Sequence, residues 1–316
     1  MSLNATCSVK FALAGYLMNS TTSAQELAVR PRISSRPEEI EIIYTPTGVR
    51  RNGMAGWGIM VSDLVASRRL IWLLILRDIS VRYRQSVLGY LWAVIPQIVT
   101  VGGFAMLNAW RVVPMGNTAI PYVIYAAWGI SVWQLFAGCL SACTTSLASS
   151  GSLVTKINFP REAVVIAAIG QPIFDFFVRL VPVIVVFIWY GFTPSWSVFF
   201  LPLALCNVIF LALGVGFVLS IANLAIRDIG NALGTALTIG MFLTPVLYPP
   251  PVRWPFTLIN ILNPLSPLLT ATQDLIATGS LTRPETFVGA CMFALIVFLV
   301  GWRAFRVTIL RAAAYA

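Results

Sequence analysis

The strongest constraint on this chain is a series of long stretches containing no Asp, Glu, Lys or Arg. Gln85–Trp110 and Val112–Thr155 are uncharged throughout, as are Ile229–Tyr248 and Phe287–Trp302. A helix rises about 1.5 Å per residue and a bilayer's hydrocarbon core is about 30 Å thick, so about 20 apolar residues cross it. The composition agrees: 58% of residues are hydrophobic and 10% charged, against about a quarter charged in an ordinary soluble domain. The expected fold is an all-α integral membrane protein.

Six spans follow from these runs. The first is 87–109, in which Pro96 kinks the helix without ending it, because neighbouring helices satisfy the freed carbonyl. The second is 119–147. The third, Ala163–Tyr190, is apolar except for Asp175 and Arg179, and a turn over Gly191–Trp196 precedes the fourth, which runs to Ala225. Ile229–Tyr248 is expected as the fifth and Phe287–Phe305 as the sixth. Between them Pro249, Pro250, Pro251, Pro255, Pro264 and Pro267 rule out one straight helix. Short re-entrant or interfacial helices are expected there, before the last span.

Three regions are distinguished: residues 1–62, a partly disordered cytoplasmic segment; residues 63–86, an interfacial helix; and residues 87–316, the six-span domain. Within 1–62, Phe11–Met18 after Lys10 has the outline of a short signal-peptide core. The later spans insert unaided, so a disordered start is the expected reading, with one short strand at Ile40–Tyr44. Residues 63–86 set the seven-residue apolar run Leu70–Leu76 among Arg68, Arg69, Arg77, Arg82 and Arg84. Seven residues cannot span. Such a helix lies in the interface, its apolar side chains in the acyl region and its arginines toward phosphates.

Charge sets the orientation and limits the chemistry. With a cytoplasmic amino terminus, only Arg111, Arg253 and Arg283 lie outside and Arg179 lies within a span; the other 17 of the 21 Lys and Arg are cytoplasmic. That asymmetry places both termini in the cytoplasm. The net charge of +10 sits at the ends and in short gaps, which suits anionic lipid rather than nucleic acid. No histidine is present, which removes the commonest general base and metal ligand. Cys139 and Cys143 share a helix face but read as packing residues, and no metal site is expected. No Gly-x-x-x-x-Gly-Lys-Ser/Thr pattern occurs and the only lysines are Lys10 and Lys156, so no P-loop can form.

Four stretches, in order, carry a family resemblance. Before the first span stand Arg77-Asp78-Ile79, Arg82-Tyr83-Arg84-Gln85-Ser86, and Leu88-Gly89 with Trp92. After the second stands Lys156-Ile157-Asn158-Phe159-Pro160-Arg161-Glu162. Ile226-Arg227-Asp228-Ile229 follows the fourth, and Thr244-Pro245-Val246-Leu247-Tyr248-Pro249 follows the fifth, with Asn263-Pro264-Leu265 beyond it. Together, over about Asp63–Arg311, they resemble the permease subunits of type-2 ABC exporters, in the polysaccharide, O-antigen and teichoic-acid branch.

The resemblance implies a bacterial inner-membrane homodimer serving lipopolysaccharide biosynthesis. Two copies of a separate ATPase would bind ATP and Mg, leaving no cofactor in this chain, and the cargo would be a polyprenyl-pyrophosphate-linked glycan. It further implies that Lys156, Asn158, Phe159, Arg161 and Glu162 form a coupling helix on the ATPase, with Phe159 as the anchor; an ordinary solvated loop is the plain alternative. Arg82, Tyr83, Arg84 and Gln85 would form a substrate gate, since arginine's planar fork suits a pyrophosphate. Headgroup anchoring explains the same arginines.

Aromatic rings stack on sugar faces, which makes Tyr90, Trp92, Phe104, Trp110, Tyr122, Tyr125, Trp128, Trp133 and Phe136 candidates for a channel lining; many would instead form the interfacial belt. Asp175 and Arg179, four residues apart, are expected as an intramembrane pair. The competing cargoes are a drug or a small lipid. A membrane-embedded transferase would need a His or a surface carboxylate, of which the outer segments hold only Asp274 and Glu285. A secondary transporter would show more intramembrane charge and paired broken helices.

Overall fold

The described residues of the computed structural model are 54–84, 91–110, 120–150, 160–250, 257 and 262–315, and among them every regular element is helical, with no strand. The segments Phe11–Met18 and Ile40–Tyr44 lie outside them. Helix α1 spans Met54–Ala66 and α2 Arg68–Arg84. The helix that carries Asp63 therefore begins well before residue 63 and breaks at Ser67. Backbone bonds run through that break, Ser67 N–H donating to Asp63 O and Ile71 N–H to Ser67 O, each 3.0 Å.

Helix α3 is Leu91–Ala109 and α4 is Tyr122–Ser149, the latter with its residues mostly buried. Gln97 ties the two together, its side-chain N–H donating to Ser131 Oγ at 2.9 Å. Next come α5, Glu162–Ala168, and α6, Gly170–Trp189, continuous but for a step at Ile169. A 3-10 turn, Trp196–Phe200, leads into α7, Leu201–Ala225. Helices α8, Asp228–Leu243, α9, Leu265–Ala277, and α10, Pro284–Tyr315, complete the chain.

Helix α7 is the hub, packed on α4 along one side and on α10 along the other. The α7–α10 crossing is close because two glycines meet in it: a Cβ on Gly214 would lie 2.6 Å from the Val297 carbonyl and the Phe298 nitrogen, and one on Gly301 would fall on the Gly214 carbonyl. Below the crossing, Phe217 packs against Phe305 at 5.1 Å, and α1 docks Trp57 edge-on against Trp302 at 5.9 Å.

Five stretches are long and apolar enough to cross a membrane: Leu91–Ala109, Tyr122–Ser149, Glu162–Trp189, Trp196–Ala225 and Pro284–Ile309. The expected fifth span, Ile229–Tyr248, instead contains the 16-residue α8, about 24 Å of helix at 1.5 Å per residue. The stop is chemical. A residue before proline is pushed toward extended backbone, and Thr244, before Pro245, has φ −95° and ψ 141°. Beyond it Val246 and Leu247 are buried, and the 13-residue α9 is largely buried among α4, α7 and α10. Asn263 fastens this return, its side-chain N–H donating to Thr244 Oγ1 at 2.7 Å.

Candidate functional site

The arginine-rich helix α2 lies against α5 and α6. A Cβ on Gly170 would sit 2.6 Å from the Ile75 side chain, so the glycine at the start of α6 is what admits α2 so closely. This seating brings Arg82 over the polar face of α6. Gln171, Asp175 and Arg179 recur every four residues there and so share one side of the helix. An Arg82 Nη lies 3.6 Å from Asp175 Oδ2, with the Asp175 side chain 5% exposed and that of Arg82 55%. With its oxygen toward the guanidinium, the Gln171 amide accepts from Arg82 Nε at 3.0 Å and from Nη1. Arg179 reaches the other way, its Nε donating to the Ala93 carbonyl of α3 at 3.2 Å.

These groups border a cavity of about 1140 Å³ walled by α2, α4, α5, α6 and α8. Arg77, Asp78 and Arg82 occupy one wall. Gln171, Asp175 and Arg179 form a second, Gln134, Ser141, Thr145 and Ser149 of α4 a third, and Leu237, Thr238 and Met241 of α8 a fourth. Arg77 and Asp78 also pair locally at 2.8 Å. Such a space sets three guanidiniums against two carboxylates, Arg77 facing Asp78 and Arg82 facing Asp175. With neutral hydroxyl and amide groups on another side, the lining has a slight positive excess and is open to a ligand that is part anion and part polyol.

A second charged cluster lies apart from the cavity. Arg306 of α10 donates to Asp63 of α1 at 2.6 Å and stands 3.7 Å from Glu162, the first residue of α5, and all three side chains are at most a quarter exposed. Three distant parts of the chain thus meet at one guanidinium.

The residues singled out from sequence are distributed as follows. Arg82 faces the cavity; Tyr83 and Arg84 end α2, their side chains outside the described set, as is Gln85. Lys156, Asn158 and Phe159 also lie outside it, while Glu162 begins α5 and Arg161 occupies the cap position just before it. Among the aromatics, Tyr90 is outside the described residues and Trp92 and Trp110 are exposed. Phe104, Tyr122 and Phe136 are half-buried against the core. Tyr125 and Trp128 are buried and hydrogen-bonded, Tyr125 to the Tyr248 carbonyl at 3.1 Å and the Trp128 indole to Thr272 Oγ1 at 3.0 Å. Trp133, also buried, borders the cavity. Asp175 and Arg179 both line it, and both have partners. Cys139 and Cys143 are free thiols in the core.

Sequence reasoning passed over Gln171, the hydroxyl face of α4 and the Arg306 cluster. Gln171 and Asp175 stand four apart in an apolar run, as do Ser141, Thr145 and Ser149, and that spacing was the available signal. Nothing local links Arg306 to Asp63.

Comparison with known proteins adds a family. The family model described as ABC-2 type transporter matches residues 69–276. The O-antigen export system permease protein RfbA of Klebsiella pneumoniae is 30% identical over 209 residues, 65% of this chain and 79% of that protein. The protein of the same name from Myxococcus xanthus is 24% identical over 242 residues, 75% of this chain and 92% of its own.

Proposed function

Because the chain belongs to the ABC-2 type transporter family, we propose that it is the membrane subunit of an ATP-driven exporter of lipid-linked polysaccharide, of the O-antigen kind its relatives are named for. It is a multi-pass transport subunit, and a separate ATPase supplies the hydrolysis. Two copies face each other across the pathway, each giving one polar cavity, while α8 and the buried return through α9 complete a six-span layout with both termini in the cytoplasm. The loop ending at Glu162 rests on the ATPase, with Phe159 as the anchor.

The observation that carries this reading is Arg82 poised over Gln171 and Asp175 at the mouth of the cavity. The carrier's pyrophosphate is recognised there before the glycan enters. A charge-assisted contact of this kind contributes about 1.5–3 kcal/mol, so its loss weakens carrier recognition roughly tenfold or more. Export falls in the order wild type, Arg82→Lys, Arg82→Gln, because lysine keeps the charge but not the planar fork. Surface glycan and membrane-inserted protein are measured together. Full export by both correctly inserted variants would return Arg82 to headgroup anchoring, which a snorkelling lysine does about as well.

Coupling has its own test. Phe159→Ala weakens co-purification with the partner ATPase or uncouples its hydrolysis from export, and intact assembly with full export would refute the anchor.

A further inference from the structure

Helix α4 has two unlike faces. Cys139, Leu140, Cys143, Thr144 and Leu147 are buried in the protein interior. On the other side, the accessible positions bordering the cavity include Gln134, Gly138, Ser141, Ala142, Thr145 and Ser149. Their spacing keeps them on one strip, and from 134 to 149 it extends about 22 Å at 1.5 Å per residue, most of the way across a hydrocarbon core of about 30 Å.

This strip does not have the character of a lipid-facing surface. The accessible face of α10 shows what lipid contact selects in this molecule: Val288, Met292, Leu295, Ile296, Leu299 and Val300. The six named positions on α4 hold no large apolar side chain at all. Helix α6 meets the strip at Gly138, where an added Cβ would lie 3.1 Å from Pro172, and α8 comes near it where Gly230 approaches Thr145; between these contacts the strip borders the cavity of about 1140 Å³.

The hydroxyl geometry is informative. Thr145 Oγ1 donates to the Ser141 carbonyl at 3.0 Å, Ser149 Oγ to the Ser146 carbonyl at 3.1 Å, and across the cavity Thr238 Oγ1 to the Gly234 carbonyl at 3.0 Å. Each of these three protons is satisfied by its own helix, so none of the three hydroxyls needs a permanent external partner. Each oxygen keeps a lone pair for a passing donor. A wall of weak, repeated acceptors fits the general requirement of conduction, in which sites attract enough for entry and hold too little to prevent exit. Sugars, whose hydroxyls are spaced along the chain, are the ligand such a wall accommodates.

We infer that the strip Gln134–Ser141–Thr145–Ser149 of α4 is the contact track for the sugar hydroxyls of the translocating glycan. The arginines of α2 take the phosphates at the mouth; the strip takes the neutral chain behind them. This rests on the export reading above, and it assigns the sugar path to hydroxyl and amide groups rather than to aromatic rings alone.

The test has two arms. In the first, Ser141→Cys, Thr145→Cys and Ser149→Cys are made singly after replacing Cys7, Cys206 and Cys291, and inside-out membrane vesicles receive a membrane-impermeant maleimide. The introduced thiols are expected to react, while native Cys143, on the opposite face, does not. In the second, the triple variant Ser141→Ala, Thr145→Val, Ser149→Ala removes the hydroxyls with little change of shape. Surface polysaccharide is expected to fall at least fivefold at equal protein level, Thr145→Ser to export normally, and Thr144→Val, on the buried face, to leave export per inserted protein unchanged.

Unreactive thiols at 141 and 145 would overturn the inference even where Arg82→Gln abolishes export, and the export reading would stand without it. Wild-type export by the triple variant would overturn it equally. Labelling reports whether the strip is wet whatever the cargo, so a change of cargo and a failure of the strip give different results. Were the triple variant poorly inserted, Thr145→Val alone and the labelling pattern decide.

Discussion

Replacing Gly214 with alanine tests whether the α7–α10 crossing holds the fold together. The added Cβ would lie 2.6 Å from Val297 C, Val297 O and Phe298 N, all backbone atoms that cannot swing aside. Ordinary contact between such atoms is about 3.5–4.0 Å, so the helices must part by roughly 1 Å, a gap that forfeits about a quarter to a half of each contact across it. Overpacking of this kind costs about 1–3 kcal/mol. The ring pairs beside the crossing, Phe210–Phe298 at 5.1 Å and Phe217–Phe298 at 6.4 Å, contribute about 0.5–1.5 kcal/mol each and lose part of it. Against this, alanine is favoured over glycine in a helix by about 1 kcal/mol. The net expectation is a destabilisation of about 2 kcal/mol, near a thirtyfold change in the folded-to-unfolded ratio. Reversible unfolding of the purified protein in mixed micelles measures it, with Gly58→Ala as the control because nothing lies within 4 Å of a Cβ at Gly58. If Gly214→Ala were as stable as the control variant, the two helices would not be in the contact described.

The Arg306 cluster gives a second expectation: Arg306→Gln leaves the Asp63 and Glu162 carboxylates without the guanidinium between them and lowers stability by about 1.5–3 kcal/mol in the same assay, while Arg306→Lys keeps part of it. Equal stability of Arg306→Gln and wild type would show the contact to be incidental. For topology, Asn158→Cys and Ala314→Cys should react with an impermeant reagent only from the cytoplasm and Thr282→Cys only from outside. Reaction of 158 and 282 from the same side would refute the six-span layout.

The spans were legible because each lies in a run almost free of charge, and lipid admits little else. The end of the expected fifth span was not, because Thr244, Pro245 and Val246 are as acceptable to hydropathy as the residues before them; the stop is backbone geometry at a pre-proline position. In the site, Asp175 and Arg179 stood out as charges in an apolar run, whereas Gln171, Ser141 and Thr145 are neutral and merge into it. Tyr125 and Trp128 were nominated by residue type alone. Burial on α4 depends on rotational phase, and a helix apolar around most of its circumference gives little sign of which ring faces the core. The Arg306 contact joins residues 243 positions apart, and only the folded chain brings them together.

That separation has a consequence for biogenesis. Helix α1 leaves the ribosome early, but the guanidinium that ties Asp63 down is made 243 residues later, on the order of 10–50 s at 5–20 residues per second. Throughout that interval Asp63 is without Arg306 and Trp57 is without Trp302, its ring partner. Only a chain translated through its last helix can therefore close these two contacts. A product truncated before α10 would leave Asp63 without its guanidinium and Trp57 without its ring partner.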